Sequence, residues 1–201
     1  MNKQRVIVGI SGASGAVYGQ AALKALRMAG VETHLVVSRS GQITIAHELA
    51  LKISQLTALA DVFYRIDDIG AAISSGSFKT MGMIVAPCSI RTLSEIASGV
   101  TSSLLTRAAD VVLKERRKLV LMVRETPLHL GHLRAMTQVT EIGAIVMPPV
   151  PAFYARPTSV EDIVNHSVGR ALDLFGLESD LVPRWGETIG VGSSPSADSA
   201  D

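Results

Sequence analysis

The stretch RVIVGISGASGAVYGQAALKAL, residues 5–26, decides the fold. Its β-branched start, Val6–Ile10, predicts a strand that is buried on both faces. A turn of Gly, Ser and Ala follows, and the pattern of Ala16–Ala29 predicts a helix that stops at Gly30. A strand that enters a helix through a turn with almost no side chains indicates an α/β fold whose first turn faces a ligand.

The same alternation of strand and helix patterns continues along the chain, which predicts right-handed crossovers and a parallel sheet covered on both faces. We therefore expect one α/β domain over residues 1–186. The small, polar stretch from Glu187 to Asp201 is expected to be a disordered tail. Further strands are predicted at Thr33–Ser38, Val62–Ile66, Met83–Ala86, Leu119–Val123 and Ala144–Met147, and further helices at Gln42–Lys52, Ser102–Arg117, His129–Glu141 and Ser159–Phe175.

The composition narrows the classes of function. The chain has 201 residues, of which 47% are hydrophobic and 18% charged, so one domain with a substantial core is expected. A formal net charge of +1 gives no support for nucleic acid as the main partner. No apolar run approaches the length of a membrane span, and the N-terminus does not resemble a secretion signal. Cys88 is the only cysteine, which suits the cytoplasm.

The turn GISGASGA, residues 9–16, resembles a dinucleotide-binding fingerprint only in part. Gly12 and Gly15 fit its last two positions, but Ile10 occupies the first, and no acidic residue ends the second strand to bind a ribose. Two interpretations stay open: a tight turn that needs small residues, or a site where exposed N–H groups and Ser14 hold an anion or a polar ring edge.

Polar segments follow the other predicted strands, and the carboxyl ends of parallel strands meet at one edge of the sheet. We expect these segments to form a single crevice. In PCSIRT, Ser89 and Thr92 open a helix, where their hydroxyls either cap it or hold a phosphate. Arg124 and Glu125 directly follow a buried strand, and a carboxylate among cations there is suited to proton transfer.

Four cationic or aromatic side chains lie on other predicted elements. Arg107 and Lys114 share one helical stripe with Asp110, which is either an ordinary surface pair or a set that reaches a shared anion. Tyr154 lies in a loop stiffened by prolines, and Arg170 borders the apolar stripe of the last helix. The HxxH pair at residues 129–132 lacks a suitably spaced third ligand, so no metal site is predicted.

Taken together, the motifs resemble the UbiX-type flavin prenyltransferases over residues 5–187. The segments that carry this resemblance are GISGASGA, SSGSFKTMGMIVAPCSIRTLSEIASG, LLTRAADVVLKERRKLVLMVRETPLHLGHLRAMT, and MPPVPAFYARP with SVEDIVNHSVGRALD and PRWGE. The resemblance implies a flavodoxin-like, Rossmann-like three-layer sandwich. It also implies transfer of a prenyl group from dimethylallyl phosphate to N5 and C6 of reduced FMN, without a metal.

The resemblance assigns roles to matching residues of this chain. Ser14, Glu48, Lys114 and Glu125 are implied to be catalytic, and Tyr154, Arg170, Lys114 and Arg107 to bind the prenyl phosphate. The family often has Glu-Thr-Asp where this chain has Glu48-Leu49-Ala50, so Glu48 keeps its acid but not its polar neighbours. The residues implied to contact FMN are Gly12, Ala13, Ser14, Ser38, Ser89, Ile90, Arg91, Thr92 and Arg124.

The resemblance further implies a cytoplasmic homo-oligomer, a dodecamer, with sites at subunit contacts. Its product, prenylated FMN, would serve UbiD-type decarboxylases. Two alternatives stay open from the sequence: a flavin-dependent decarboxylase, or a non-catalytic flavin carrier that serves an aromatic-acid decarboxylase. The cysteine-type decarboxylases resemble the chain at the first turn, but they typically carry a PASANT-like stretch where this chain has PCSIRT.

Overall fold

The computed structural model describes residues 3–186 and Ile189; the predicted tail, apart from Ile189, lies outside the described residues. Six parallel strands form one sheet in the order β3-β2-β1-β4-β5-β6. The strands are β1 (Arg5–Ile10), β2 (Glu32–Val37), β3 (Val62–Tyr64), β4 (Gly82–Cys88), β5 (Lys118–Val123) and β6 (Ile145–Val146). The helices are α1 (Ala16–Met28), α2 (Arg39–Glu48), α3 (Ile53–Thr57), α4 (Ile90–Ala97), α5 (Leu104–Lys114), α6 (Leu130–Glu141) and α7 (Val160–Asp173).

Helices cover both faces of the sheet, so the predicted three-layer sandwich is confirmed. On one face, Leu23 and Leu26 of α1 pack with Val168 and Leu172 of α7 against the sheet. On the other face, α4, α5 and α6 pack against the sheet through a second cluster of buried side chains. The central strands β1, β4 and β5 are almost entirely buried, which is why their sequences are nearly continuous apolar runs.

The helix boundaries follow local capping signals. Ser159, predicted to begin the last helix, caps α7 by accepting a hydrogen bond from the Asp162 N–H at 3.1 Å. The second helix differs from its prediction: it begins at Arg39 rather than Gln42, because the Ser38 hydroxyl caps it, and it ends at Glu48. A separate short helix, α3, then follows; the sequence pattern did not separate the two.

The strand order places a switch point between β1 and β4. The chain leaves β1 toward β2 and β3 on one side, and later returns through β4 toward β5 and β6 on the other. Helices that leave neighbouring strands in opposite directions open a crevice beyond the carboxyl ends of those strands. This geometry brings the turns after β1, β2 and β4 to a common edge.

Candidate functional site

A cavity of about 650 Å³, here called the β1/β4 cavity, lies at the switch point. Five of the residues predicted to contact FMN line it, namely Gly12, Ser38, Ser89, Arg91 and Thr92. It is also lined by residues that the sequence analysis did not select, namely Arg39, Ser40, Ile43, Ile66, Asp67, Glu95, Ser102, Ser103 and Leu105. The prediction that several strand ends meet at one crevice therefore holds for the turns after β1, β2 and β4.

Two serines cap the helices that begin at this cavity. The Ser38 hydroxyl accepts a hydrogen bond from the Gly41 N–H at 3.0 Å, and the Ser89 hydroxyl accepts one from the Thr92 N–H at 3.3 Å. Ser89 also donates to the Thr92 hydroxyl at 3.2 Å. The positive ends of α2 and α4 therefore point toward the same space, which suits an anionic group such as a phosphate.

Ser11 connects the turn after β1 to the start of α4. Its hydroxyl accepts from the Ser89 N–H at 2.7 Å and donates to the Pro87 carbonyl at 2.9 Å, and the residue is 1% exposed. The sequence analysis did not select Ser11, although a serine directly after a fully apolar strand is a usable signal. Because this hydroxyl is buried and acts both as a hydrogen-bond donor and as an acceptor, it fixes the spacing of the two turns.

Gly12 and Gly15 are required by the close packing of the first turn. A Cβ atom at Gly12 would lie 2.3 Å from the Ser40 Oγ atom, so only glycine lets this turn approach α2. Gly15 has a φ of +107°, in the region that side chains disfavour, and it directly precedes α1. The tight-turn interpretation is thus correct for both glycines, and the cavity lies beside them.

Glu48 occupies the N-terminus of α1, where the sequence predicted exposed N–H groups. Its Oε2 atom accepts from the N–H groups of Gly15 and Ala16, each at 2.8 Å. Burial raises the pKa of Glu48, but hydrogen bonds from the Ser14 side chain and from these two N–H groups, with the charge of Arg124, outweigh it and lower the pKa overall. The chain itself thus supplies an anion for this helix end.

Arg124 and Glu125 lie where predicted, directly after β5, and both are exposed. The Arg124 N–H donates to the Cys88 carbonyl at 3.1 Å, which ties this segment to the end of β4. The Arg124 charge acts on both Glu48 and Tyr18. Ser14, Glu48 and Arg124 therefore form one group at the carboxyl edge of the sheet.

Lys114 lies apart from Glu125 within one chain. Helix α5 ends at Lys114 just before β5 begins, so Lys114 lies at the opposite edge of the sheet from Glu125. The six residues of β5 span about 20 Å at about 3.3 Å per residue. The Lys114 ammonium pairs with Glu115 at 2.5 Å, and Arg107 pairs with Asp110 at 2.7 Å.

Lys114 lines a second cavity, here called the α4–α6 groove, of about 630 Å³. Asp110 and Lys114 of α5, Glu95 of α4, and Glu141 of α6 contribute to its wall. Glu95 also lines the β1/β4 cavity, so the two cavities adjoin at this side chain. The lysine is therefore open to a molecule that approaches from outside the chain.

Tyr154 and Arg170 share a third cavity, here called the Tyr154 pocket, of about 320 Å³. Arg170 donates to Asp173 at 2.8 Å, and Arg184 donates to the same carboxylate at 2.9 Å. Burial raises the pKa of Asp173, but the bonds and charges of these two arginines lower it overall. Tyr154 and Arg170, both implied to bind the prenyl phosphate, line the same pocket, although no residue lining this pocket also lines the β1/β4 cavity.

Cys88 and His129 have structural roles. Cys88 is fully buried at the end of β4, and burial raises the pKa of its thiol to about 12, which makes it a poor nucleophile. The Nδ1 atom of His129 accepts from the Gly131 N–H at 3.0 Å and so caps α6. Among the described residues, no group of three or more His, Cys, Asp or Glu side chains is arranged to bind a metal.

Comparison with known proteins shows that the chain is a flavoprotein, because residues 1–172 match the model of the flavoprotein family. The chain is 60% identical to flavin prenyltransferase UbiX of Thauera aromatica over 181 residues, which covers 90% of this chain and 93% of that one. It is 59% identical to flavin prenyltransferase UbiX of Escherichia coli K12 over 185 residues, covering 90% of this chain and 98% of that one. The chain belongs to the UbiX family of flavin prenyltransferases.

A solved structure shows the same architecture. The crystal structure of AnUbiX (PadA1) in complex with FMN and dimethylallyl pyrophosphate superimposes with a TM-score of 0.90 at 50% identity, covering 92% of this chain and 98% of that one. The flavodoxin-like fold implied by the sequence is therefore correct. Within the part of the chain that the structure describes, no helix has the length and apolar character needed to span a bilayer.

Proposed function

We propose that this chain transfers the dimethylallyl group of dimethylallyl phosphate to N5 and C6 of reduced FMN, and that the resulting prenylated FMN serves a UbiD-type decarboxylase. The observation that carries the proposal is the β1/β4 cavity, at which two serine-capped helices begin, in a chain that is 60% identical to a flavin prenyltransferase. The proposal names FMN as the acceptor substrate, and it requires no metal.

The FMN acceptor would lie in the β1/β4 cavity. The serine caps, the positive ends of α2 and α4, and Arg91 supply donors and positive potential for its phosphate and hydroxyl groups. When bound, FMN supplies the nucleophilic nitrogen and carbon that receive the prenyl group. Ser14, Glu48 and Arg124 form a group at the same edge of the sheet, and we assign them to the reacting side of the flavin.

The prenyl phosphate would be bound by cations and a hydroxyl that neutralise its charge as it leaves. Tyr154 and Arg170 present these groups in one pocket. An alkylation of this kind is accelerated when the departing phosphate is stabilised in a site that excludes water. Glu125, exposed at the carboxyl edge of the sheet, is the acid we assign to protonate the phosphate and later to remove the proton from C6.

The position of Lys114 supports an assembly in which one chain completes the site of another. Lys114 is separated from Glu125 within one chain by the length of β5, yet it lines an open groove. A relative of known structure, the dodecameric FMN-dependent UbiX-like decarboxylase from Escherichia coli O157:H7, superimposes with a TM-score of 0.88 at 51% identity, covering 90% of this chain and 99% of that one. We propose a homo-oligomer, a dodecamer, in which Lys114 of one protomer lies beside Glu125 of its partner.

Exposed apolar side chains on α6 and in the loop before α7 are consistent with that assembly. Leu130, Leu133, Val150 and Phe153 are between 47% and 74% exposed. Apolar side chains of this size are usually covered in the functional state when they occur together. We also assign the protein to the cytoplasm, where its only cysteine, Cys88, remains reduced.

The test is to mix the purified protein anaerobically with reduced FMN and dimethylallyl phosphate, and to analyse the flavin by mass spectrometry. A flavin heavier by one five-carbon unit is expected, and recovery of unmodified FMN alone would contradict the proposal. A parallel reaction with dimethylallyl pyrophosphate determines which donor is used.

A flavin-dependent decarboxylase is the second candidate, because the relative from Escherichia coli O157:H7 carries that description. An aromatic acid incubated with the protein and FMN, without any UbiD-type partner, distinguishes the two. Release of carbon dioxide under these conditions would favour the decarboxylase. Release only after the prenylated flavin is passed to a UbiD-type enzyme supports the prenyltransferase.

A further inference from the structure

His166 of α7 contacts the hydroxyl of Tyr154. The Nε2 atom of His166 lies 3.2 Å from the Tyr154 oxygen, and the two rings meet edge to face with centroids 5.7 Å apart. His166 is 7% exposed, and it lines the Tyr154 pocket together with Arg170. Neither the sequence motifs nor the family comparison directed attention to this histidine, although it lies four residues before Arg170 and hence on the same helix face.

Tyr154 is held on two sides. Trp185 also meets the Tyr154 ring edge to face, with centroids 5.7 Å apart and planes at 88°. His166 and Trp185 therefore restrict the orientation of the phenol ring, and His166 is placed to control its hydroxyl group. The Tyr154 side of the pocket remains accessible, because Tyr154 is 50% exposed.

A tyrosine hydroxyl has one proton to donate, so its hydrogen-bond partner decides where that proton points. If Nε2 of the histidine carries a hydrogen, it donates to the phenol oxygen and leaves the phenol O–H free for an anion. We infer that His166 is a positioning residue for the prenyl phosphate: its Nε2–H donates to Tyr154, which directs the phenol O–H toward a phosphate held by Arg170. This inference rests on the proposed function, because it takes the phosphate of the donor as the anion.

The charges around His166 are consistent with a neutral ring before the donor binds. Burial lowers the pKa of His166, the charge of Arg170 lowers it further, and Asp173 opposes both. Asp162, Asp180 and Arg156 line the adjoining cavity, to which His166 also contributes. A phosphate beside Arg170 adds negative charge and favours the protonated ring, which keeps Nε2 as a donor. Donor binding is therefore expected to weaken as the pH rises through the pKa of His166 in the complex.

The direct test compares His166→Leu, which removes the ring nitrogen, with His166→Gln, which keeps an N–H donor of similar reach. We expect the KM for dimethylallyl phosphate to rise about tenfold in the Leu variant, the loss of one hydrogen bond to an oriented partner, and much less in the Gln variant. The kcat should fall as well, because the same hydroxyl stabilises the departing phosphate, whereas the Kd for FMN should stay close to the wild-type value. Equal kinetics in the Leu variant and the wild type would overturn the inference.

Coupling to Tyr154 separates a positioning role from a general effect on folding. In a Tyr154→Phe background the hydroxyl is absent, so His166→Leu should cause no further rise in KM. Additive effects of the two substitutions would contradict the inference. The pH dependence of the KM should also be flatter in His166→Gln than in the wild type, since the amide does not titrate, and identical profiles would argue against it.

Trp185 provides a readout that does not depend on turnover. It is the only tryptophan, so its fluorescence reports on this pocket as dimethylallyl phosphate is added. Weaker binding by His166→Leu in this titration supports the role of His166. Binding without any prenylated product would overturn the proposed function while leaving that role intact, and wild-type binding by His166→Leu would overturn the role alone. Failure of the wild-type protein to bind the donor would overturn both.

Discussion

The β1/β4 cavity and the cations proposed to bind the donor phosphate are built in different ways. The cavity is lined by short segments that follow three strands of one sheet, so strand order alone brings Gly12, Ser38 and Ser89 together. Lys114 and Arg170 lie instead on the helices α5 and α7 and line separate cavities. Under the proposed function, the flavin site is formed within one chain, whereas the leaving-group site needs a residue of a second chain.

Replacing Glu125 with Gln tests the proposed acid–base chemistry at the leaving-group site and should have the largest effect. The variant should bind FMN normally, but product formation should slow by about 10²–10⁴-fold, the usual contribution of a general acid or base. Single-turnover mass spectrometry measures the rate, and Glu178→Gln, an exposed site away from the three cavities, is the matched control. Unchanged turnover in Glu125→Gln would remove the acid–base assignment.

Replacing Lys114 with Ala tests whether a cation outside the flavin cavity of its own chain contributes to the reaction. The loss of one charged contact to the phosphate should lower kcat/KM for dimethylallyl phosphate by about 10–100-fold. The Kd for FMN, measured by flavin fluorescence, should be unchanged. A weaker FMN affinity with unchanged kinetics for dimethylallyl phosphate would contradict this, because it would assign Lys114 to the flavin site.

Substituting Gly12 tests whether the first turn shapes the β1/β4 cavity, where FMN is proposed to bind. A Cβ atom at this position meets the Ser40 side chain at 2.3–2.4 Å, and overpacking of this kind costs about 1–3 kcal/mol. We expect Gly12→Ala to raise the Kd for FMN about tenfold. Adding Ser40→Gly removes the atoms that clash and should restore much of the affinity, and a double variant as weak as the single one would contradict this packing argument.

Replacing Glu48 with Gln should also lower the stability of the fold, and this is the smallest of the expected effects. The folded state lowers the pKa of Glu48 below its ordinary value near 4.5, so the charged form stabilises the fold above that pH. This contribution is lost as the pH falls through the lowered pKa of the folded state. A carboxylate at a helix N-terminus contributes about 0.3–1 kcal/mol.

Urea unfolding from pH 7 to pH 3 measures this effect. The wild-type protein should be more stable than Glu48→Gln at pH 7, and the difference should shrink toward zero as the carboxyl becomes protonated in both states. A difference that stays constant down to pH 3 would show that the charge on Glu48 is not the cause.

The fold and the β1/β4 cavity could be predicted because they follow from local patterns. Buried strands, the serine caps at Ser89 and Ser159, and the turn at Gly12 all have signals within a few residues. Glu48 could not be placed from such signals, because its contact with Gly15 spans 33 residues of sequence and depends on the packing of α2 against α1. The contact between His166 and Tyr154 depends in the same way on the packing of one loop against α7.

The separation of Lys114 from Glu125 was missed, although a signal existed. Because β4 and β5 are parallel, the chain between them must return to the amino edge of the sheet, and α5 is the last helix of that connection. Lys114, four residues before β5 begins, therefore had to lie opposite Glu125, the second residue after β5 ends. The direction of α5 alone would have predicted this separation within one chain.

Complementation between two inactive variants tests the central claim that the leaving-group site spans two chains. Lys114→Ala and Glu125→Gln protomers are co-expressed with different tags, and the mixed oligomers are purified and assayed for prenylated FMN. If Lys114 of one protomer serves Glu125 of its partner, about a quarter of the sites in a random one-to-one mixture carry both native residues, and activity should return to about that fraction. Mixed oligomers as inactive as either parent would contradict the account.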